Sequence, residues 1–286
     1  MISVIIPTCN RNELLGKCLD ALKPGVQTIG SNDYEVIVTD DSKESIAAEF
    51  IQTNYAWVKW VKGPAKGPAA NRNNGAKYAK GEWLVFIDDD CIPDDNIIKT
   101  YHSAITNEPD MLAFEGRIYV NAPQTSFLQE APLNYTGGFF WSCNICIQKG
   151  LFLLLHGFDE MFPFAAMEDV DLFKRLKQNT NKHRFVFDAA VMHPWRMNKH
   201  LFKTTLKRYK ANEYYLLKHP EEKQRINSHY YFQAFARQLS FTLKNAWKFR
   251  FSGFVQKFNC DLLQLYFGIS AVFRHKPAET NNRTTK

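Results

Sequence analysis

The stretch from Trp83 to Asp90, Trp-Leu-Val-Phe-Ile-Asp-Asp-Asp, constrains this chain more than any other. Its continuous apolar run of β-branched and aromatic residues reads as a strand buried on both faces, the kind found inside a parallel sheet. The strand then ends in three adjacent carboxylates. Neighbouring negative charges at a strand end repel one another and lower stability unless something positive sits among them. Oxygen ligands at i and i+2, here Asp88 and Asp90, suit a hard divalent cation such as Mg²⁺ or Mn²⁺, which keeps part of its water and takes further ligands from substrate phosphates. A solvated acidic turn ahead of Pro93 is the competing reading of the same tripeptide.

The residues before this stretch repeat a strand-then-helix pattern. Ile2 to Ile6 is a β-branched strand halted by Pro7, and Asn10-Arg11-Asn12-Glu13, followed by Leu14, Leu15, Cys18, Leu19 and Leu22, reads as a capped amphipathic helix. Tyr34 to Thr39 is a second strand ending in Asp40-Asp41-Ser42, with a helix from about Glu44 to Thr53, and Trp57 to Val61 reads as a third strand. The turn-rich Gly63-Pro64-Ala65-Lys66-Gly67-Pro68 leads to a helix over Asn71 to Ala79. Strands and helices alternating with short connections predict an α/β fold, a doubly wound and mainly parallel sheet flanked by helices. In such sheets ligands bind in the crevice beyond the carboxyl ends of the strands, where Thr8, Asp40, Asp41, Asp88, Asp89 and Asp90 all fall. Asp40 and Asp41 can also be ordinary caps for the next helix.

Beyond residue 100 the pattern becomes less regular. Met111 to Val120 and Phe139 to Ile147 read as strands, with Ala122 to Thr136 loop-like between them. The turn His156-Gly157-Phe158-Asp159-Glu160-Met161-Phe162-Pro163 leads to a second acidic cluster, Glu168-Asp169-Val170-Asp171, which opens a helix over Val170 to Lys177. Carboxylates in a first turn meet the helix dipole favourably, so capping alone accounts for this cluster unless Asp169 faces the crevice. Arg184 to Val191 reads as the last strand, and His193 directly after it is a candidate metal ligand. From Lys199 on, helices rich in Phe, Tyr, Lys and Arg take over. Tyr231, Phe235, Leu239, Leu243, Ala246 and Trp247 form an apolar stripe, off which lie Arg237, Lys244 and Lys248. The expected organisation is a domain over residues 1–198, with a nucleotide-binding half to about residue 95 and an acceptor half over 96–198. A basic helical extension over 199–275 and a disordered polar tail over 276–286 complete it.

With 286 residues, 45% of them apolar, the chain can bury a large core. Its longest apolar stretches, such as Leu262 to Phe273, fall short of the roughly 20 residues that span a bilayer. A strand starting at Ile2 leaves no room for a secretory leader, which points to a cytoplasmic protein with reduced cysteines. Cys143 and Cys146 have redox or zinc spacing, but no second pair supports that reading. Residues 1 to 195 carry 18 Lys and Arg against 24 Asp and Glu, a balance of −6, while residues 196 to 286 carry 18 against 5, a balance of +13. An acidic front suits cation-dependent chemistry, and a basic, aromatic tail suits an anionic surface such as the inner face of a membrane.

Six motifs in register, Ser3-Val4-Ile5-Ile6-Pro7-Thr8-Cys9-Asn10-Arg11, Asp40-Asp41-Ser42, Asn71-Arg72-Asn73-Asn74-Gly75 ahead of Gly81-Glu82-Trp83, Asp88-Asp89-Asp90, Gly157-Phe158-Asp159-Glu160 and Glu168-Asp169, resemble those of family 2 glycosyltransferases of the GT-A fold. The resemblance, extended by His193, implies inverting, metal-assisted transfer from a nucleotide diphosphate sugar to a hydroxyl of a saccharide or lipid-linked acceptor in cell-surface polysaccharide or glycolipid synthesis. It implies that Pro7 and Thr8 line the base, that Asp41 accepts from the base's ring N–H, and that Arg72 lies beside the nucleotide. Asp90 would bind Mn²⁺ or Mg²⁺, Asp88 or Asp89 would contact the ribose, and Asp88 and His193 would join the metal site. Asp169 would be the catalytic base, with Glu168 and His156 on the acceptor side; His156 departs from the glycine common at that place. Two other classes remain open at this point. A nucleotidyltransferase would show a Gly-rich phosphate loop, which Pro7-Thr8-Cys9-Asn10 is not, and a nucleic-acid binder would have to rely on the basic C-terminal part despite the acidic front.

Overall fold

The computed structural model describes residues 1–274, so the polar tail expected over 276–286 lies outside the described residues. In chain order the strands and helices are β1 (Ile2–Thr8), α1 (Asn12–Ala21), β2 (Tyr34–Asp40), α2 (Ile46–Asn54), β3 (Lys59–Lys62), α3 (Pro68–Tyr78), β4 (Trp83–Ile87), β5 (Ile92–Pro93), α4 (Ile97–Asn107) and β6 (Ala113–Tyr119). Then come β7 (Gln129–Glu130), β8 (Asn144–Gln148), α5 (Lys149–Leu154), α6 (Glu168–Asn179), β9 (His183–Met192), β10 (Arg196–Met197), α7 (Leu201–Lys218), α8 (Ser228–Asn245) and α9 (Phe254–Arg274). They form two compact units, one of Met1–Pro123 with Ala131–Trp195, the other of Gln124–Glu130 with the chain from Arg196 on.

The first unit is a mixed α/β layer structure around one sheet in the order β3-β2-β1-β4-β8-β6-β9-β5. β3, β2, β1 and β4 are parallel neighbours, β8 runs antiparallel between β4 and β6, β9 is parallel to β6, and β5 is antiparallel to β9. Successive strand side chains point to opposite faces. Val4, Ile6, Val36, Val38 and Val85 therefore meet α1, α2 and α4 through Leu15, Leu19, Ile51 and Tyr101, while Ile5, Ile37, Leu84 and Phe86 meet α3, α5 and α6 through Ala76, Phe152 and Leu172. Burial on both faces is the reason these strands are apolar without alternation. α3 lies so close to β1 that a Cβ on Gly75 would stand 2.5 Å from Ile5 Cγ2.

Several elements differ from the sequence reading. α4 replaces a segment with no assigned structure, and its buried face of Ile97, Ile98 and Tyr101 joins the larger core. Phe139–Cys143 precedes β8 instead of starting it, because the buried Glu115 carboxylate takes up backbone N–H groups of that segment and draws it away from the ladder. α1 has Arg11 at its N-terminal boundary and no side-chain cap, since the polar residues expected to cap it point elsewhere.

In the second unit, Gln124–Glu130 belongs with the C-terminal helices and not with the loop of the acceptor half. Phe127 is buried, 4.8 Å from Phe249 and 6.1 Å from Phe241 between ring centres, and Ser126 Oγ donates to Ser252 O. β7 pairs antiparallel with β10. The expected stripe of α8 holds in part: Tyr231 and Ala246 are buried, joined by Ala234 and Thr242 from outside it, whereas Leu243 and Trp247 are exposed. The cause is Asp261 of α9, which is fully buried and must be paired; Thr242 Oγ1 donates to it at 2.6 Å, and Lys257 forms an ion pair with it. Among the described residues no helix is long and apolar enough to cross a membrane.

Candidate active site

The carboxyl ends of β1 and β4 bring the N-terminal motifs together. Thr8 Oγ1 donates to Asp89 Oδ2 at 2.7 Å, and Arg11 reaches across so that its Nη2 lies 2.8 Å from Asp89 Oδ1 and its Nη1 3.8 Å from Asp90 Oδ2. Asp89 is thus enclosed between a hydroxyl and a guanidinium with none of its side chain exposed. It supports Arg11 and Thr8; of the three, Asp88 is the one with accessible side chain, 21% exposed.

The segment Asn71-Arg72-Asn73-Asn74-Gly75 on α3 works as a junction. Asn71 Nδ2 donates to Thr39 O at 2.8 Å and Thr8 O at 3.3 Å, holding the ends of β1 and β2, and Asn74 Nδ2 donates to Lys62 O at 2.9 Å at the end of β3. Asn73 accepts from Phe158 N and donates to Phe158 O and Glu160 Oε1, all within 2.9 Å. Gly157, at φ +64, leaves this clamp the room it needs, since a Cβ there would stand 2.5 Å from Asn73 Oδ1. Arg72 turns inward. Its Nη2 lies 2.6 Å from Asp88 Oδ1 and its Nη1 3.4 Å from Glu168 Oε1, so one buried cation joins the two acidic clusters. Burial alone would depress this guanidinium, yet Asp88 and Glu168 hold its pKa above the ordinary value.

At the start of α6 the helix boundary is Met167, in the left-handed region at φ 74 and without a side-chain cap. Asp169 is half-buried; its Oδ1 accepts from Val170 N at 2.8 Å. Burial pushes its pKa up, against the pull of Arg72 and of neighbouring backbone groups. Burial and the neighbouring Asp169 raise Glu168 to about 7, although Arg72 opposes them. Glu168 Oε2 is buried with no hydrogen-bond partner among the described residues. Asp171 faces away from this cluster. It pairs with Arg175 at 2.7 Å, and Arg175 Nη2 donates to Gly157 O, which ties α6 to the glycine turn.

His193 is buried after β9, and its N–H donates to Tyr119 O at 2.8 Å. Its Nδ1 lies 2.8 Å from Pro194 O; a carbonyl only accepts, so Nδ1 carries the hydrogen and the Nε2 lone pair faces Asp90 Oδ1 at 3.7 Å. Burial keeps the imidazole pKa below its ordinary value, so the ring is neutral near pH 7. Two acceptor atoms facing each other across a buried gap fit a cation between them. Ligand atoms of Asp90, His193 and Cys91 lie within 4.8 Å of one another, and a neutral imidazole with a carboxylate is a suitable donor set for a divalent ion.

The structure therefore groups Thr8, Asp88, Asp89, Asp90, Arg72, Glu168, Asp169 and His193 at one end of the sheet, with Pro7 buried one residue before Thr8. Asp41 adjoins this cluster through its backbone, its N–H donating to Thr8 O at 2.9 Å, while its side chain has a task of its own. Its two oxygens accept from Ala65 N and Gly67 N at 2.9 Å and hold the turn-rich loop, and each oxygen keeps a further lone pair. Asp40 is a cap, accepting from Ser42 N and Ala47 N at the start of α2. His156 is exposed at φ 60, closing α5 through a bond from its N–H to Leu153 O. Sequence reasoning assigned no role to Arg11, Asn73, Glu115 or Ser142. A charged residue three places after the first strand was the available signal for Arg11, and the motif Asn71 to Gly75 was the signal for Asn73; nothing local signalled the other two.

A mainly parallel sheet with carboxylates gathered at its strand ends defines a GT-A-type scaffold. Solved structures share it: Staphylococcus aureus TarS in complex with UDP-GlcNAc aligns over 97% of this chain and 93% of that one with a TM-score of 0.62 at 17% identity. The mannosyltransferase PcManGT from Pyrobaculum calidifontis in complex with GDP-Man and Mn²⁺ aligns over 96% and 88% with a TM-score of 0.59 at 14% identity. The chain belongs to glycosyl transferase family 2, whose sequence model matches residues 3–168, more than half of it. A poly(ribitol-phosphate) beta-glucosyltransferase of Bacillus spizizenii is 33% identical over 116 residues, 38% of this chain and 18% of the relative. A glycosyltransferase of Haemophilus influenzae described as uncharacterized is 31% identical over 196 residues, 62% of each protein. The chain thus spans less than two thirds of the length of these relatives.

Proposed function

We propose that the chain transfers a sugar from a nucleotide diphosphate donor to a hydroxyl of a saccharide or lipid-linked acceptor, with inversion at the anomeric carbon and with the help of a divalent cation. The observation that carries this reading is Arg72, which links the strand-end carboxylates of a donor site to the Glu168-Asp169 pair. Asp88, the accessible member of the triplet, binds the donor's nucleoside side, and Pro7, Thr8 and Asp41 line the base. Asp90 and His193, with Cys91 beside them, would hold Mn²⁺ or Mg²⁺, which supplies positive charge against the diphosphate of the departing nucleotide. Asp169 takes the proton of the acceptor hydroxyl as that oxygen attacks the anomeric carbon. Burial raises its basicity while Arg72 keeps it ionised enough to act. A single displacement needs one base and no carboxylate nucleophile, so inversion follows from the role given to Asp169.

The acceptor is a cell-surface saccharide or a glycolipid, met at the cytoplasmic face of a membrane to which the second unit binds peripherally. On α9, Leu262, Tyr266, Ile269 and Phe273, spaced i, i+4, i+7, i+11, are 42% to 66% exposed, an apolar stripe on a unit of strongly positive sequence. The transfer reading is tested by thermal unfolding with UDP-, GDP- and dTDP-sugars, each with and without Mn²⁺. A ligand that binds only the folded state raises its stability with the logarithm of saturation. One nucleotide class stabilising the protein in a Mn²⁺-dependent way is the expected result. Equal melting across the whole panel contradicts the reading.

A further inference from the structure

The loop that leads into β8 presents an aromatic platform beside the proposed base. The carboxylate of Glu115 on β6 is buried and accepts from the backbone N–H groups of Gly138 at 2.5 Å, Phe139 at 3.1 Å and Phe140 at 2.9 Å, and from Asn134 Nδ2 at 3.1 Å. A buried ionised carboxyl is stabilised only by such a full set of donors. Through it the sheet fixes the conformation of the loop, including φ values of 80 at Gly137, 94 at Gly138 and 54 at Phe140. Phe140 points inward and stacks on Phe173 of α6 at 5.0 Å and 10°. Phe139 stays 42% exposed and stacks on the half-buried Trp141 at 4.6 Å and 30°.

The position of this pair is set by register. Asn144 pairs with Ile87, so the residues before Asn144 lie at the end of the sheet where β4 gives way to Asp88, Asp89 and Asp90. The backbone of Ser142, the next residue after Trp141, is near enough to Asp169 to pull its pKa down. Phe140, stacked on Phe173, holds the loop to α6, the helix that begins with Glu168 and Asp169. Exposed stacked aromatic rings cost free energy in water when nothing covers them. A pyranose ring has one face of C–H groups and a rim of hydroxyls. An aromatic face, negative at its centre, attracts those C–H groups and leaves the rim free to reach polar partners.

We infer that Phe139 and Trp141 form the acceptor subsite, stacking the apolar face of a pyranose ring so that one of its hydroxyls reaches Asp169. The inference rests on the transferase reading for the role of Asp169, but the saccharide site itself does not require a bound donor. The two residues are positioning groups for the acceptor and take no part in bond making.

The test uses the full chain and saturation-transfer difference NMR with methyl glycosides of glucose, galactose and N-acetylglucosamine, with binding of UDP, GDP and dTDP in Mn²⁺ measured on the same samples. Saturation should be strongest at the ring C–H protons of one face of at least one glycoside. Phe139→Ala should weaken that glycoside's binding by about tenfold or more, with melting temperature and nucleotide affinity unchanged, and Phe139→Trp should keep binding near the parent level. Trp141→Phe should give a smaller loss than Phe139→Ala. Absence of saturation in the parent for the whole panel, or equal binding by Phe139→Ala, overturns the inference. Failure of UDP, GDP and dTDP alike to bind with Mn²⁺ present, while saccharide binding depends on Phe139, would instead count against the transferase reading and leave the platform standing.

Discussion

Replacing Arg72 by Met keeps most of the side chain's length beside Phe158 and removes the charge together with the N–H donors to Asp88 and Glu168. The guanidinium has 6% of its side chain exposed and lies 2.6 Å from Asp88 and 3.4 Å from Glu168, whose side chain is 8% exposed. Removing one partner of a buried ion pair leaves uncompensated charge and costs about 3–5 kcal/mol. The carboxyls can limit that cost by binding protons, and a tenfold change in a carboxyl's proton affinity is worth about 1.4 kcal/mol. Glu168 is already at about 7 in the presence of Arg72, with burial the main cause and Asp169 the second, so losing the cation drives both carboxyls further up. A carboxyl whose folded pKa exceeds its unfolded one favours the fold while it is protonated, and that favour is lost as pH rises through the folded value. Arg72→Met should therefore destabilise little near about pH 5 and by several kcal/mol above about pH 8. Urea unfolding followed by tryptophan fluorescence at both pH values gives the two differences. A loss that is the same at both, or below about 1 kcal/mol at the higher pH, would refute the role given to Arg72 as the charge shared by the two acidic clusters.

Three further outcomes are expected from the same geometry. Asp169→Asn retains the bond from Val170 N but cannot take a proton, so transfer should fall by about 10²- to 10⁴-fold with donor affinity little changed; a loss of stability with transfer per folded molecule preserved would make it a helix-end residue only. Gly157→Ala places a Cβ 2.5 Å from Asn73 Oδ1 at φ +64, and should cost at least about 1–2 kcal/mol in chemical unfolding, while an unchanged midpoint would mean that the clamp on the glycine turn yields freely. In flotation with liposomes, binding should appear with anionic lipid and fade with salt; no binding at low salt would leave the α9 stripe without a lipid role.

Much of the strand-end cluster could be read from the chain because the signals were local. A strand buried on both faces has to be apolar throughout, and the residues directly after it have to sit at its carboxyl end, so Asp88 to Asp90 were placed by the run Trp83 to Ile87 alone. The same logic placed Thr8 after β1 and His193 after β9. The illegible parts depended on partners distant in sequence. Arg72 acts through Glu168, 96 residues away, and Asn73 through Phe158, 85 residues away. The division of labour within Asp88-Asp89-Asp90 depended on Arg11, which no spacing rule assigns. Asp40 and Asp41 carried one sequence signal and received two tasks, a helix cap and a loop clamp. In α8 the apolar pattern held at Tyr231 and Ala246 and failed at Leu243 and Trp247, where the pairing needs of one buried carboxyl, Asp261, bring Thr242 inward instead. The loop before β8 looked like strand because Phe139, Phe140 and Trp141 have strand character, and only the buried Glu115 carboxylate across the sheet explains why they are withheld from the ladder.

The central claim is that Asp90 and His193 make a metal-dependent diphosphate site. It is tested most directly by calorimetric titration of UDP and GDP into the protein with and without Mn²⁺, for the parent, Asp90→Ala and His193→Ala. One of the two nucleotides should bind the parent more tightly with Mn²⁺. Both variants should lose that increment while remaining folded, and in the parent the increment should shrink as pH falls through the lowered pKa of His193, where the proton competes for Nε2. Mn²⁺-dependent binding of the same strength in Asp90→Ala and His193→Ala would contradict the claim.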